Sequence, residues 1–591
     1  MEFRCVKASV NQFCKNEFLL SKLNDVVLNA SKVRFEAHAL ANLHILQLLK
    51  DEKPIPQLNQ SFFQSCCACV SEMKDRNAKE KIDQDLQDSL ERYKKCRPEN
   101  FKVAYRDNIT IVFNYIAKEM ETATINHLVL NFYKRFNRFL EERYPDIDKQ
   151  ERYKICSAIY EENYDGDNVV VLEYRKKLNN KPPWEKHVKK DASYILGVYH
   201  EILIFAENQI VLNCKEGIKS KRKRMLRTFT LLPMKNGFQM SYITIDNSVL
   251  RDIIIGEQLI PCRKVGKKYE NEQSMTRSVL RKDIEDNPRK YWEQFFDIAK
   301  FETTKRKFNF FKTDGKTISI CLQVPTKETI KPIKIRSKKT KTSTPKIQTK
   351  LSFDDYDVIK AGDPGMKYIV TTVDNDGEMY QYSSKQYYHE AGTNKTAFQR
   401  KRCYAKNTAF EDYINNMPSP KTASLNKLVS YIRFALKGLD NAFDVHFKNK
   451  FREWRFRGFV KKQKTFNELC KKLSDKKTRD ENKKVLFGMG DWSNPRDSII
   501  RGYRRGPVKE LTSALSFWCE VVSTPERNTS RCCSCCHHKN DKNIYVGKKS
   551  YRVFSCQNCK NTMDRDKNAC KNIYMVLERL SKSVELPESF A

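Results

Sequence analysis

No stretch of this sequence approaches the ~20 uninterrupted apolar residues that a membrane helix needs. The most apolar one, SYILGVYHEILIFAENQIVL from Ser193, is interrupted by His200, Glu201 and Glu207, so a helix with one buried face is expected there and a membrane is not an expected partner. The first twenty residues carry no apolar signal core. The 20 cysteines, dispersed along 591 residues, therefore point to a reducing compartment rather than to a disulfide scaffold. Acid is the other shortfall: 73 Asp and Glu stand against 111 Lys and Arg, a formal charge of +38. Such a surplus implies a polyanionic partner, because each cation set against a phosphate releases counterion. A membrane surface or a ribosome would share that charge; the aromatic share of 11%, with rings interleaved among lysines, leans toward nucleic acid, where rings stack on bases.

A chain of this length has room for roughly three to five domains. Apolar residues at three- and four-residue steps predict a helix around Arg34 to Leu49, and FNYIAKEMETATINHLVLNFYKRFNRFLEERY continues the helical pattern toward Asp165. Lys134, Arg135, Arg138 and Arg143 on it suit either a nucleic-acid groove or a solvated face. KEGIKSKRKRMLR, from Lys215 to Arg227, is a basic cluster of the nuclear-import or phosphate-binding kind. Between Thr228 and Pro325, short runs around Lys-Asn-Gly and Asp-Gly turns predict several strands, in a small barrel or sandwich. Lys331 to Lys350 has no acidic residue and reads as an exposed linker.

The last third predicts a β-hairpin around Asp363-Pro364-Gly365, whose first strand ends in a carboxylate, then basic helices from Lys385 to Leu473 in which Trp454, Phe456 and Phe459 alternate with arginines. KKVLFGMGDWS, from Lys483, is a compact apolar strand running into glycines. GPVKELTSALSFWCEVV then gives an amphipathic helix and the strand before Glu526. Gly488-Met489-Gly490 lacks the third glycine of a dinucleotide loop. Two Cys-x-x-Cys knuckles follow, Cys533/Cys536 and Cys556/Cys559, spaced for one tetrahedral Zn²⁺. The run Cys532, Cys533, Cys535, Cys536 also permits Cys532/Cys535 as the first pair. Asp564 and Asp566 open a helix with Ile573, Val576, Leu577 and Leu580 on its apolar face. Three acids at strand ends and a helix mouth suit a ribonuclease-H-like layer. Their mutual repulsion calls for a hard, oxygen-preferring cation such as Mg²⁺, and two such ions about 4 Å apart support phosphodiester hydrolysis.

The segment Glu526-Arg-Asn-Thr529-Ser530-Arg-x-Cys533-x-x-Cys536, with Cys556-x-x-Cys559 and Asp564-Arg-Asp566-Lys-Asn568-Ala569, resembles the RuvC-and-zinc-ribbon end of the TnpB nucleases. It is more closely similar to their eukaryotic relatives, the Fanzor proteins, over roughly Lys360 to Leu580. The resemblance implies a multidomain α+β RNA-guided DNA endonuclease, with one protein per guide RNA pairing with target double-stranded DNA, in the nucleus. The alternative is a catalytically inactive RNA- and DNA-binding regulator or transposon-associated protein.

The implied domains are a β-barrel wedge (1–60 and 191–330) interrupted by a helical recognition lobe (61–190), and a basic linker (331–350). A RuvC domain with a helical insertion (351–525), a zinc-ribbon target-nucleic-acid-binding module (526–563) and a RuvC C-terminal helix and tail (564–591) complete the chain. Carried over residue by residue, the catalytic, Mg²⁺-binding acids are Asp363, Glu526 and Asp566, with Asp564 as the fallback for the third. Most TnpB proteins carry the middle glutamate at the end of the central strand, where this chain has Gly488-Met489-Gly490-Asp491; Asp491 and Glu520 are the weaker candidates for that role. The zinc ligands are Cys533, Cys536, Cys556 and Cys559, with His537 and His538 as loop residues.

Overall fold

The long apolar series near the N-terminus folds as one helix, Glu17–Lys50, started by the Asn16 side chain, which accepts a hydrogen bond from the Leu19 N–H at 2.8 Å. It is seen in a computed structural model that describes residues 2–71, 83–103, 110–159, 161, 164–178, 191–215, 226–234, 237–262, 275–324, 333–334, 352–491, 506–540 and 553–590. Most of the basic cluster Lys215 to Arg227, the Lys235-Asn236 half of one expected turn, most of the 331–350 linker and the loop joining the two knuckles lie outside the described residues.

The described chain divides into two compact units, Met1–Pro325 with Cys403–Glu453, and Thr326–Arg402 with Trp454–Ala591. In the first, Gln60–Ser71, Gln84–Lys94 and Thr110–Arg143 pack as helices around Glu17–Lys50. Its buried Glu36 accepts from Arg97 at 3.0 Å and from the Tyr93 hydroxyl at 3.1 Å. A second long helix, Leu196–Lys215, buries Val198, Tyr199, Ile202, Leu203 and Ala206 and exposes Ile204, Ile210, Val211 and Leu212. By length and composition alone the stretch Ala192–Leu212 could cross a membrane, although one face is committed to the protein core.

Strands β1 (Glu2–Ser9), β2 (Ile243–Ile245), β3 (Lys307–Thr313) and β4 (Thr317–Val324) form an antiparallel sheet in the order β1-β4-β3-β2. The β3–β4 turn is the expected Asp-Gly: Asp314 accepts from the Thr317 N–H at 2.8 Å and Gly315 takes a φ of +81°, where glycine has no Cβ penalty. Where a barrel or sandwich was expected, the pairings among the described residues make this an open four-stranded order, with helices Asn247–Gly256, Arg277–Asp286 and Pro288–Phe295 between β2 and β3.

The second unit is built on a six-stranded sheet of β5 (Ile333–Lys334), β6 (Val358–Asp363), β7 (Tyr368–Asp374), β8 (Met379–Ser383), β9 (Val485–Gly490) and β10 (Glu520–Thr524), in the order β5-β10-β9-β6-β7-β8. The hairpin pairs β6–β7 and β7–β8 are antiparallel, whereas β6–β9, β9–β10 and β10–β5 are parallel. β9, buried at every position, reads VLFGMG without alternation, as a strand covered on both faces must. One face carries helix Arg565–Ser581, which buries Ile573, Val576, Leu577 and Leu580. The other is packed by Leu469, Cys470, Leu473, Leu511 and Leu515. A short antiparallel pair, β11 (Val553–Ser555) and β12 (Thr562–Asp564), carries the second knuckle.

Candidate active site and metal-ligand cluster

Because β6, β9 and β10 run parallel, their C-terminal ends share one edge of the sheet, and the candidate acids are distributed along it. Asp363 is the last residue of β6. It follows Gly362, whose Cα lies so close under Phe487 that an added Cβ would stand 2.8 Å from the ring. The Asp363 carboxyl is pushed up to about 8 by burial first, then by the negative charges of Asp566 and Asp564, with Arg565 opposing. Asp564 and Asp566 therefore lie close enough for their charges to act on Asp363. Their own engagements differ. Asp564 caps helix Arg565–Ser581 by accepting from the N–H groups of Asp566 at 2.9 Å and Lys567 at 3.2 Å. Asp566, in the helix's first turn, is the acid with the larger effect on Asp363.

Glu526 arrives two residues beyond β10. Its N–H donates to the Asp491 carboxylate at 3.2 Å, and the Asp491 N–H donates to the Thr524 carbonyl at 2.9 Å, which ties the ends of β9 and β10 together. The Glu526 carboxylate lies across the bare Cα of Gly490: a Cβ there would fall 1.6 Å from Oε1. Between these groups, the buried Cys570 thiol donates to the carbonyls of Ala361 at 3.1 Å and Thr371 at 3.2 Å and is raised by burial and by the charges of both Asp363 and Glu526. Asp363, Glu526 and Asp566 are thus gathered at one edge. Glu520 is not: it opens β10, at the opposite end, and accepts from the Tyr356 hydroxyl at 2.6 Å. Asp491 is at the right edge, with its carboxylate engaged by the Glu526 N–H.

Among the described residues, the set of three or more candidate ligands whose ligand atoms all lie within 4.8 Å of one another is Cys533, Cys536, Cys556 and Cys559. Asp363, Glu526 and Asp566 do not form such a set. In the cysteine cluster the Cys533–Cys559 and Cys536–Cys556 Sγ separations are 3.6 and 3.5 Å, near the edge of about 3.8 Å that four thiolates at 2.3 Å from a tetrahedral Zn²⁺ would make. The other two cysteines of the run face elsewhere. Cys532 donates to the Ser589 carbonyl at 3.4 Å and packs with Val576, Leu580 and Phe590, and Cys535 is exposed and receives the Asn561 amide. His537 adopts a φ of +57° and lies edge-on to Phe590.

Three contributors escaped the sequence reading. The fully buried Asn568 and Asn572 both donate to the carbonyl of Cys532 at 2.7 Å and to that of Thr529, at 3.3 and 2.7 Å, and Asn568 also accepts from the Ser534 N–H at 2.9 Å. They lock the first knuckle onto the helix Arg565–Ser581, which carries Asp566. Two amides four residues apart on an otherwise apolar helix face were the available signal. Gly490 is the third.

A Gly490→Ala substitution tests the fit of Glu526. Gly490 has no positive φ to defend, so the added methyl acts by displacing the carboxylate. Any activity that depends on Glu526 is expected to fall about 100-fold with thermal stability nearly unchanged, and the Glu526→Ala variant should be insensitive to the same change. Full activity in Gly490→Ala would remove Glu526 from the site.

Residues 514–573 match the family model described as Cas12f1-like, TNB domain, a segment that takes in β10, Glu526, the four cysteines and the start of helix Arg565–Ser581. No curated protein matches the chain. A solved structure titled "Cryo-EM structure of the Cas12f1-sgRNA-target DNA complex" aligns at 14% identity over 97% of this chain and 98% of that one, with a TM-score of 0.27, too low to carry an argument. From β10 into the helix that bears Asp566, this chain is similar to the TNB domain of Cas12f1-like proteins.

Proposed function

We propose that this protein is an RNA-guided DNA endonuclease of the Fanzor and TnpB kind, whose nuclease unit has a RuvC, ribonuclease-H-like sheet. The observation that carries the reading is the gathering of Asp363, Glu526 and Asp566 at the shared end of three parallel strands, the last two within a segment that matches a Cas12f1-like TNB domain. The strand order supports it: a three-stranded antiparallel meander extended by parallel strands beside its first member. Asp363, Glu526 and Asp566 would hold Mg²⁺, in two ions. The Asp363 carboxyl is raised by burial first and then by the charges of Asp566 and Asp564, and an all-oxygen donor set suits that metal. When bound, Mg²⁺ supplies an activated water and stabilises the leaving oxygen of a phosphodiester. The chain's own part is to hold these acids at one edge, Asp363 by its place at the end of β6, Glu526 by its fit on Gly490 and Asp566 by the capped helix. Cys533, Cys536, Cys556 and Cys559 would hold Zn²⁺.

The guide RNA rests on the resemblance to Fanzor and TnpB proteins and on the net charge of +38. In this reading one protein binds one guide RNA, the RNA pairs with a target strand, and the protein contacts the heteroduplex through its backbone. A wedge region (1–60 and 191–330), a recognition lobe (61–190) and nuclear residence, for which the basic cluster Lys215 to Arg227 is the sequence support, complete it. Purified protein is expected to carry a discrete RNA, and changing that RNA's guide segment should redirect Mg²⁺-dependent cleavage to the matching DNA. Cleavage that survives complete RNA digestion and ignores sequence would overturn the guided reading. Guided binding without any cleavage would favour the inactive regulator.

A further inference from the structure

In the second unit a groove of about 510 Å³ opens between helix Asn449–Ser474 and the segment Tyr387 to Arg400, a volume within the range of about 300–1,000 Å³ usual for small-ligand sites. Its lining joins two chemistries. Tyr388 and Trp454 contribute rings, and Arg400, Arg455 and Lys462 contribute cations. The Nε of Arg400 is buried and has no hydrogen-bond partner among the described residues. As a lining residue Arg400 offers a guanidinium, whose charge and fork suit a phosphate. Lys462, by contrast, is held by Glu510 at 3.0 Å.

The groove also has a gap built into its wall. Gly458 lies inside the helix Asn449–Ser474, where glycine is disfavoured relative to alanine. A Cβ added there would meet nothing within 4 Å, and its φ lies outside the left-handed region, so no backbone conformation requires glycine. The absent side chain leaves the floor of the groove open.

We infer that this groove binds an unpaired nucleotide of single-stranded DNA, with its phosphate on Arg400 and its base against the Tyr388 and Trp454 rings in the space over Gly458. Guanidinium matches phosphate in charge and fork geometry, and aromatic faces accept any base. A base can enter only if it is unpaired, because a duplex keeps its base faces stacked. The choice of DNA rests on the nuclease reading above, since the groove belongs to the unit that carries the three acids.

The test uses the full-length protein and a fluorescein-labelled oligothymidylate, with a duplex of equal length for comparison, each titrated over a range of salt. Arg400→Gln is expected to weaken oligothymidylate binding about tenfold and to flatten the slope of log affinity against log salt by about 0.7, the value for one single-strand phosphate contact. Gly458→Leu, which fills the groove and favours the helix, is expected to weaken binding about as much while the melting temperature holds or rises. Duplex binding should change less than about twofold in both. Wild-type affinity for oligothymidylate in Gly458→Leu, or equal losses on single strand and duplex, would overturn the proposal. Cleavage by the wild type, measured in parallel, keeps the two readings separate. If cleavage is absent while the single-strand losses persist, the nuclease fails and the groove stands; cleavage with undiminished single-strand binding in both variants gives the reverse.

Discussion

Asp363→Ala protein is expected to bind nucleic acid as the wild type does and to cleave DNA at least about a thousandfold more slowly. The stabilisation that metal ions give a transferring phosphate is worth several kcal/mol, and each 1.4 kcal/mol is about a factor of ten in rate. The pH dependence gives a second readout that a merely structural aspartate would not supply. The Asp363 carboxyl is raised from an ordinary 3.8 to about 8 by burial and by Asp566 and Asp564. The sign follows from linkage: the folded protein without metal holds a proton there that the unfolded chain has already lost. This group's contribution to stability is therefore fully present below the unfolded value and fades as pH rises through about 8. Bound Mg²⁺ must displace that proton, so added Mg²⁺ should raise the melting temperature more at slightly alkaline than at slightly acidic pH. The Asp363→Ala variant should lose most of that metal-dependent gain and its pH trend. A variant that keeps wild-type cleavage would end the assignment of Asp363, and with it the three-acid site.

Removing one thiolate from the cysteine cluster has the other large effect. For Cys556→Ser, metal analysis is expected to fall well below one Zn²⁺ per chain, and hydrogen exchange should rise over residues 529–540 and 553–564. Structural zinc sites supply roughly 10–16 kcal/mol of folding free energy in isolated fingers, comparable with or above the about 5–15 kcal/mol that holds a whole domain. Among the described residues the cysteines pack with the buried Phe554 and the partly buried Met563. Cleavage should fall with the fold, because the first knuckle is bonded through Asn568 and Asn572 to the helix that carries Asp566. Cys535→Ser, at an exposed cysteine outside the cluster, should keep its zinc. Equal zinc contents in Cys556→Ser and Cys535→Ser would refute the ligand set.

The parts of this architecture that were legible in the sequence are those written in local pattern. The Asp363 hairpin, the strand from Val485, the amphipathic helix Val508–Leu515 and the helix opening at Asp566 announce themselves through period and turn chemistry. The buried face Ile573, Val576, Leu577 and Leu580 is the one the spacing gives. Choosing between Glu520 and Glu526 is different. Both flank the same strand, and only the parallel register of β9 and β10 separates the edge with the acids from the edge without them. β5 is two residues inside a basic stretch with no strand pattern, recruited by pairing with Val522 and Ser523. The helices between Lys385 and Leu473 read as one basic series, yet Cys403–Glu453 packs with the first unit, since helical period records which face is buried and not by what. Gly490 looked like a failed loop motif because the side chain that needs its bareness comes from beyond the end of another strand.

The central sheet has a consequence for how the protein is made. β6, β7 and β8 leave the ribosome together, but the neighbour that covers the free side of β6 is β9, roughly 120 residues later, with the whole of Cys403–Glu453 synthesised in between. Until Val485–Gly490 emerges, β6 presents an uncovered row of backbone donors and acceptors, a template for the wrong strand of another nascent chain. Translation that stalls before β9 should thus yield aggregates, and slowing synthesis in that interval should cost soluble yield more than slowing it after β10.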